Sequence, residues 1–258
     1  MGAPIHWVDA FASEPFTGNP AAICVLDRAR PDAWMQALAA ELKASETAFL
    51  LAEDREWRLR WFTPTTEVDL CGHATLAAAH VLMELRGGAS FRFRTRSGTL
   101  VATARGDRRF EMEFPALDAR EGPPPPGLLA ALGVAAETCA KSRFDWIVEV
   151  RDEGIVRAAR PDLAALAQVD CRGAILTARG VEHDFVSRCF YPRTGVPEDP
   201  VTGSAHCALA PWWGARLGKR EMTGFQASAR GGVVGVRVAG DRVVLSGGAV
   251  TLFRGTLG

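Results

Sequence analysis

The segment Phe62-Thr63-Pro64, a loop, and then Cys71-Gly72-His73-Ala74 entering an alanine-rich stretch decides the reading of the chain, because it occurs twice. In the second half Phe190-Tyr191-Pro192 is followed by a loop three residues longer and by Thr202-Gly203-Ser204-Ala205, again entering an apolar helical stretch. At the offset that aligns Gly72 with Gly203, Ala77 and Ala79 fall opposite Ala208 and Ala210. A repeat of strand, polar loop, glycine and buried helix predicts two similar halves, each a many-stranded sheet wrapped about one apolar helix. A helix that begins at such a glycine leaves its first N–H groups free, and the positive end of its dipole favours an anion. Two such ends predict a pocket for a carboxylate.

Outward from these helices, short alternating or apolar runs predict strands at 5–11, 22–26, 47–51, 57–62, 91–95, 100–104 and 110–114. A second set follows at 146–150, 174–177, 185–191, 233–238, 243–246 and 250–253. Helical patterns are expected at 31–43, 74–85, 128–132, 162–168 and 204–217, with Pro211-Trp212-Trp213 interrupting the last. The four prolines within 121–127 can neither continue a helix nor sit inside a sheet, which makes this stretch the best linker. The expected domains are 1–118 and 119–248, with a C-terminal strand at 249–258 available to complete the first.

Bulk properties narrow the function. The 258 residues are 48% hydrophobic and 23% charged, with zero formal net charge. A neutral chain speaks against a dedicated nucleic-acid partner and offers no polybasic membrane signal. No apolar run reaches the roughly 18–20 residues of a membrane helix, and the start lacks a secretory pattern. The six cysteines, Cys24, Cys71, Cys139, Cys171, Cys189 and Cys207, form no CxxC pair. Reduced thiols in a cytoplasmic protein are expected, with no zinc site on that spacing.

Several residues can carry chemistry. Glu46, in Ser45-Glu46-Thr47, opens an apolar strand, where desolvation raises a carboxyl toward neutrality and makes it a usable acid/base. The plainer alternative is a strand-end surface glutamate. His73 stands at a helix start and can donate to a substrate oxygen or simply pack. Asp199, in Glu198-Asp199-Pro200, can bind an amine or hold a catalytic hydrogen bond, against an ordinary turn aspartate. Glu198 has the weaker case. Asn19, in the turn Gly18-Asn19-Pro20, can reach a carboxylate. Cys71 can act as a thiol base at a helix N-terminus, but Thr202 fills the matching position and Cys207 lies a turn further on. His206 and Cys207 are expected to pack. A hydrolase triad lacks its G-x-S-x-G elbow, and no nucleotide-binding glycine motif appears. Gly231-Gly232, with Gln226 and Arg230, predicts a tight turn. Arg230 can reach an anion or be solvated.

V-D-A-F with F-T-G-N-P-A-A, S-E-T-A-F, F-T-P with D-L-C-G-H-A-T, and F-Y-P with E-D-P-V-T-G-S-A-H run in order along the chain. Together they resemble the phenazine-biosynthesis PhzF-like isomerases, relatives of diaminopimelate epimerase. The resemblance implies an α+β fold of two pseudo-symmetric domains, each a mostly antiparallel barrel-like sheet around a central helix. It also implies an active site in the cleft between the halves, a homodimer, and neither metal nor organic cofactor. In that family the best-understood substrate is trans-2,3-dihydro-3-hydroxyanthranilate, whose ring proton a glutamate removes and returns at another carbon. Carried onto this chain, the glutamate is Glu46, the histidine His73 and the aspartate Asp199. Gly72, Gly203 and Ser204 would bind the substrate carboxylate, with Asn19 and Ser45 beside them. The epimerases use one cysteine at each helix start, and only Cys71 is present here. The expected activity is a cofactor-independent isomerisation of a small carboxylate-bearing substrate. The alternatives are a racemase or epimerase using Cys71, and a non-catalytic carboxylate-binding or interaction module.

Overall fold

The computed structural model describes residues 2–106 and 108–258. The chain divides into two compact units, residues 1–113 with 246–258, and residues 114–245. In the first, β1 (Pro4–Ala10) pairs antiparallel with β2 (Asn19–Leu26), and α1 (Asp32–Leu42) leads to β3 (Glu46–Glu53), parallel to β2. β4 (Glu56–Phe62) returns antiparallel and β5 (Glu67–Val68) pairs with its end. After α2 (Gly72–Arg86), β6 (Ser90–Thr95) joins β4 in parallel, followed by antiparallel β7 (Gly98–Ala104) and β8 (Arg109–Pro115).

The second unit follows the same plan. β9 (Arg120–Glu121), α3 (Leu128–Leu132) and β10 (Thr138–Lys141) precede β11 (Trp146–Glu149). α4 (Glu153–Ala158) and α5 (Leu163–Gln168) then lead to β12 (Ala174–Arg179), parallel to β11. β13 (Phe185–Tyr191) is antiparallel to β12, and β14 (Val196–Asp199) pairs with β13. After α6 (Gly203–Leu217), β15 (Glu221–Gln226) joins β13 in parallel, and β16 (Gly232–Ala239) is antiparallel to β15. The sequence of pairings around α2 therefore recurs around α6. Both helices have 15 residues and both start at the repeated glycine.

The last strand, β17 (Arg242–Thr256), pairs with β1 and β8. The ring β1–β2–β3–β4–β6–β7–β8–β17 is thereby closed into an eight-stranded barrel with no free edge in the ring. Its filling is α2, whose residues His73 to Leu82 are all buried against β1, β2, β3 and β7. Alanines at 74, 77, 78 and 79 give this helix its propensity and let the strands approach closely. α6 is buried in the same way from Ala205 to Ala210. Outside the barrel, Met35, Leu38 and Ala39 of α1 cover Ile5, Leu26, Phe49 and Phe62. In the second unit Leu128, Leu132, Val156 and Leu166 of the short helices cover Val148, Leu176 and Phe190.

Three expectations need correction. The two strands expected at 243–246 and 250–253 are one, because Gly247 and Gly248 do not break it. A Cβ at Gly247 would lie 2.3 Å from Phe11 Cδ1, and one at Gly248 2.7 Å from the Ala12 carbonyl oxygen. The glycines are there for close approach of the residues after β1. Pro211 does not interrupt α6. The Cys207 carbonyl, which a residue other than proline at 211 would satisfy, accepts the Leu117 N–H instead, at 3.1 Å. The proline run leads from β9 into α3, and the division between units falls at Glu113/Phe114. α4, β10, β14 and β15 had no sequence signal strong enough to be expected. No described helix is long and apolar enough to cross a membrane.

Candidate active site

In the first unit the register of β2 against β3 sets Ala21 opposite Glu46. It therefore brings Gly18-Asn19-Pro20 beside Ser45-Glu46. Ser45 Oγ donates to the Pro20 carbonyl oxygen at 3.1 Å and lies 3.5 Å from Asn19 Oδ1 and 3.3 Å from His73 Nε2. Asn19 is fully buried. His73, in the first turn of α2, sets Nε2 3.2 Å from Glu46 Oε2 and Nδ1 3.5 Å from Cys71 Sγ. Asn19, Ser45, Glu46, Cys71 and His73 thus form one group, next to the Gly72 N-terminus of α2. Cys71 occupies the N-cap without a side-chain capping bond.

The electrostatics of this group correct one expectation. Burial alone would raise Glu46, but His73, Ser45 and Cys71 outweigh it and hold the carboxyl below its ordinary range. Burial opposes a charge on His73 as well, yet Cys71 and Glu46 push the imidazole well above its ordinary value. Both directions favour a charged carboxyl on Glu46 beside a protonated His73. Burial, with the Glu46 charge added, pushes the Cys71 thiol up, the opposite of an activated thiolate. Glu46 Oε2 is buried, and the polar group facing it is His73 Nε2 at 3.2 Å. The donor atoms of Glu46, Cys71 and His73 all lie within 4.8 Å of one another, so a carboxylate, a thiol and an imidazole of kinds that can take a metal ion are grouped here. The cysteine spacing gave no sign of this, because the partners are not cysteines.

In the second unit, Asp199 ends β14 and Gly203 opens α6. Thr202 Oγ1 donates to Asp199 Oδ2 at 2.5 Å. Gln226, fully buried at the end of β15, donates to the Asp199 carbonyl oxygen at 2.6 Å and accepts the Thr202 N–H at 2.8 Å. Ser228 Oγ donates to the Pro200 carbonyl oxygen at 2.8 Å. The turn after β15 thus fixes the loop that enters α6. Glu198 is taken by Arg188 in a two-pronged ion pair and is structural. Thr202, like Cys71, makes no side-chain capping bond, so the first turn of α6 at Gly203 and Ser204 keeps its N–H groups for another acceptor. His206 and Cys207 pack: burial lowers His206 to about 4 and raises Cys207 to about 12.

The family model for "Phenazine biosynthesis-like protein" (PhzC-PhzF) matches residues 8–255. The chain belongs to this family. It is 50% identical to an uncharacterised isomerase of Pseudomonas aeruginosa and 47% identical to one of Halalkalibacterium halodurans, in each case over 100% of this chain and 99% of the relative. Among solved structures, a PhzF-family phenazine biosynthesis protein of Enterococcus faecalis superposes with a TM-score of 0.96 at 41% identity, covering 100% of this chain and 99% of its own. The PhzF-like fold and the isomerase class follow from these relationships.

Against the PhzF-like motifs, the structure groups Asn19, Ser45, Glu46, Gly72 and His73 in one unit, and Asp199, Gly203 and Ser204 in the other. Gln226 had been read only as part of a turn. Its lone buried amide beside a turn was the one available signal. Arg172, which adjoins Ser204, and its partner Asp145 carried none.

Proposed function

We propose that this PhzF-like isomerase moves a proton between two carbons of a small carboxylate-bearing substrate, with Glu46 as the single acid/base. The observation that supports this best is the Glu46 carboxyl at the strand end, its Oε2 buried and set 3.2 Å from His73 Nε2. In the proposed step that oxygen takes a proton from a carbon next to an unsaturated or electron-withdrawing group. The C–H electron pair moves into that group, and the same proton returns at a second carbon. Nothing is oxidised or reduced. His73 steadies the charge as it moves, and Asn19 and Ser45 bind polar groups of the substrate. In the second unit, the first turn of α6 at Gly203 and Ser204 suits a carboxylate, and Asp199 a polar group.

The rival is an epimerase using Cys71. Its one favourable contact is the 3.5 Å approach of Sγ to His73 Nδ1. Against it stand the raised thiol and the lack of a second cysteine at the α6 start, where Thr202 is the N-cap and Cys207 is buried.

The test is conversion of dihydro-hydroxyanthranilate and a panel of amino and cyclic carboxylic acids, followed by proton NMR in deuterated water. Conversion that disappears in Glu46→Gln supports the proposal. Full activity in that variant, or loss in Cys71→Ser with exchange at a stereocentre, overturns it.

A further inference from the structure

Arg172 lies outside every motif named above. It is anchored with unusual completeness for a half-exposed side chain. Nε donates to Asp145 Oδ1 at 2.7 Å and Nη2 to Asp145 Oδ2 at 2.5 Å, and that carboxylate is 2% exposed. The guanidinium carbon lies 4.8 Å from the Phe144 ring centroid and 5.4 Å from that of Tyr191. The two prongs and two rings fix the plane of the group. Nη2 also donates to Ser204 Oγ at 3.4 Å, on the first turn of α6. Nη1 donates to no group among the described residues.

A second, independent observation marks the same place. The Tyr191 hydroxyl is buried with no well-formed hydrogen bond, its polar neighbour being the weakly bonding Cys189 thiol, although the residue is 7% exposed. The charged groups acting on it are Asp145, Arg172 and Asp199, together with the Cys189 thiol. A buried hydroxyl without a good partner is unfavourable, and a ligand atom at this point would satisfy it.

We propose that Arg172 is a ligand-binding residue that, through its free Nη1 edge, shares a small organic carboxylate with the first turn of α6 and the Tyr191 hydroxyl. Asp145 orients it and does not touch the ligand. A planar fork next to free backbone N–H groups suits a carboxylate, whose two oxygens can each take one donor. The inference rests on the reading of Gly203 and Ser204 as carboxylate binders, but not on Glu46 chemistry.

The test is calorimetric titration of the full chain with benzoate, cyclohexanecarboxylate and glutamate, each against its amide. The variants are Arg172→Lys, Arg172→Gln and the pair-neutral Asp145→Asn/Arg172→Gln, which leaves no buried charge unmatched. At least one carboxylate should bind more tightly than its amide, with an affinity that falls as salt rises. Removing the guanidinium in either Gln-bearing variant should weaken that carboxylate about 10- to 100-fold, with partial recovery in the Lys variant and no change for the amide. Carboxylates that bind no better than their amides, or binding unchanged in the double variant, overturn the proposal. Because binding is read without turnover, Arg172-dependent binding alongside inactive Glu46 chemistry would sink the acid/base reading alone.

Discussion

Gln226 holds Thr202 from two sides, with Oε1 accepting its backbone N–H at 2.8 Å and Nε2 donating to its hydroxyl at 3.2 Å. The same amide nitrogen reaches the Asp199 carbonyl oxygen at 2.6 Å. One fully buried side chain therefore sets the path of the loop from β14 into α6. Gln226→Met keeps the volume and removes every one of these bonds. Each buried group left unpartnered costs about 1–3 kcal/mol, so the variant should lower the urea midpoint clearly. If Asp199 and α6 act as proposed, turnover falls with it. A midpoint matching the parent would show that the loop is held by other contacts.

The Glu46–His73 pair makes a signed prediction about pH. Glu46 is held below 4.5 and His73 well above 6.5, so kcat/KM should be flat between these values. It should fall on the acid side only below 4.5, as Glu46 is protonated, and on the alkaline side well above 6.5, as the imidazolium is lost. Removing the imidazolium leaves burial opposed only by the Ser45 and Cys71 hydrogen bonds, so the carboxyl rises. The acid limb of His73→Gln should therefore move up in pH. An acid limb that stays in place, or moves down, would disprove the pairing.

Cys71 and Glu46 share the same neighbour, and their variants should separate. Cys71→Ser retains a small polar group next to His73 and leaves the carboxylate intact. It should keep kcat within about tenfold, whereas Glu46→Gln should lose general acid–base catalysis worth about 10²- to 10⁴-fold or more. Parallel kinetics on the two variants check this, and an equal loss in both would favour the thiol reading.

The repeat was legible because two glycine-started helices leave a pattern of small residues that strands and loops do not. Gly72 and Gly203 announced α2 and α6, and the motif around Ser45 and Glu46 announced the first cluster. The direction of the Glu46 shift was not legible. It depends on His73, which reaches the strand end only because α2 turns back inside the barrel. Arg172 and Asp145 were invisible for the same reason: they are 27 residues apart and meet only once β11 and β12 pair in parallel. Gly247 and Gly248 misled, since glycine inside a strand pattern signals a break, whereas here it admits the residues after β1.

That misreading can be tested. Gly247→Ala would set a Cβ 2.3 Å from the ring of Phe11, a buried residue whose φ of 55° gives it little room to retreat. Overpacking of this kind costs about 1–3 kcal/mol. Gly255→Ala, near the other end of β17 and with nothing within 4 Å, should be close to neutral. Thermal melts of the two variants side by side distinguish close approach from a general intolerance of side chains in β17.

His206 carries the last prediction, on stability rather than activity. Burial lowers it to about 4 from an ordinary 6.5, while its Nδ1 lies 2.9 Å from the Thr202 carbonyl oxygen. In the folded chain it stays neutral through a range where the unfolded chain already binds a proton. The unfolded state therefore gains protons first as pH falls, and stability drops between 6.5 and about 4. Over that window the loss approaches about 3 kcal/mol from this residue alone. His206→Asn can keep a donor for the Thr202 carbonyl and cannot titrate. Its unfolding free energy should be lower than the parent's at neutral pH, because the ring's packing against Phe185 is gone, but should depend less on pH between 6.5 and 4. Urea unfolding at several pH values reads the two slopes directly, and equal slopes would mean that His206 is protonated in the folded chain as easily as in the unfolded one.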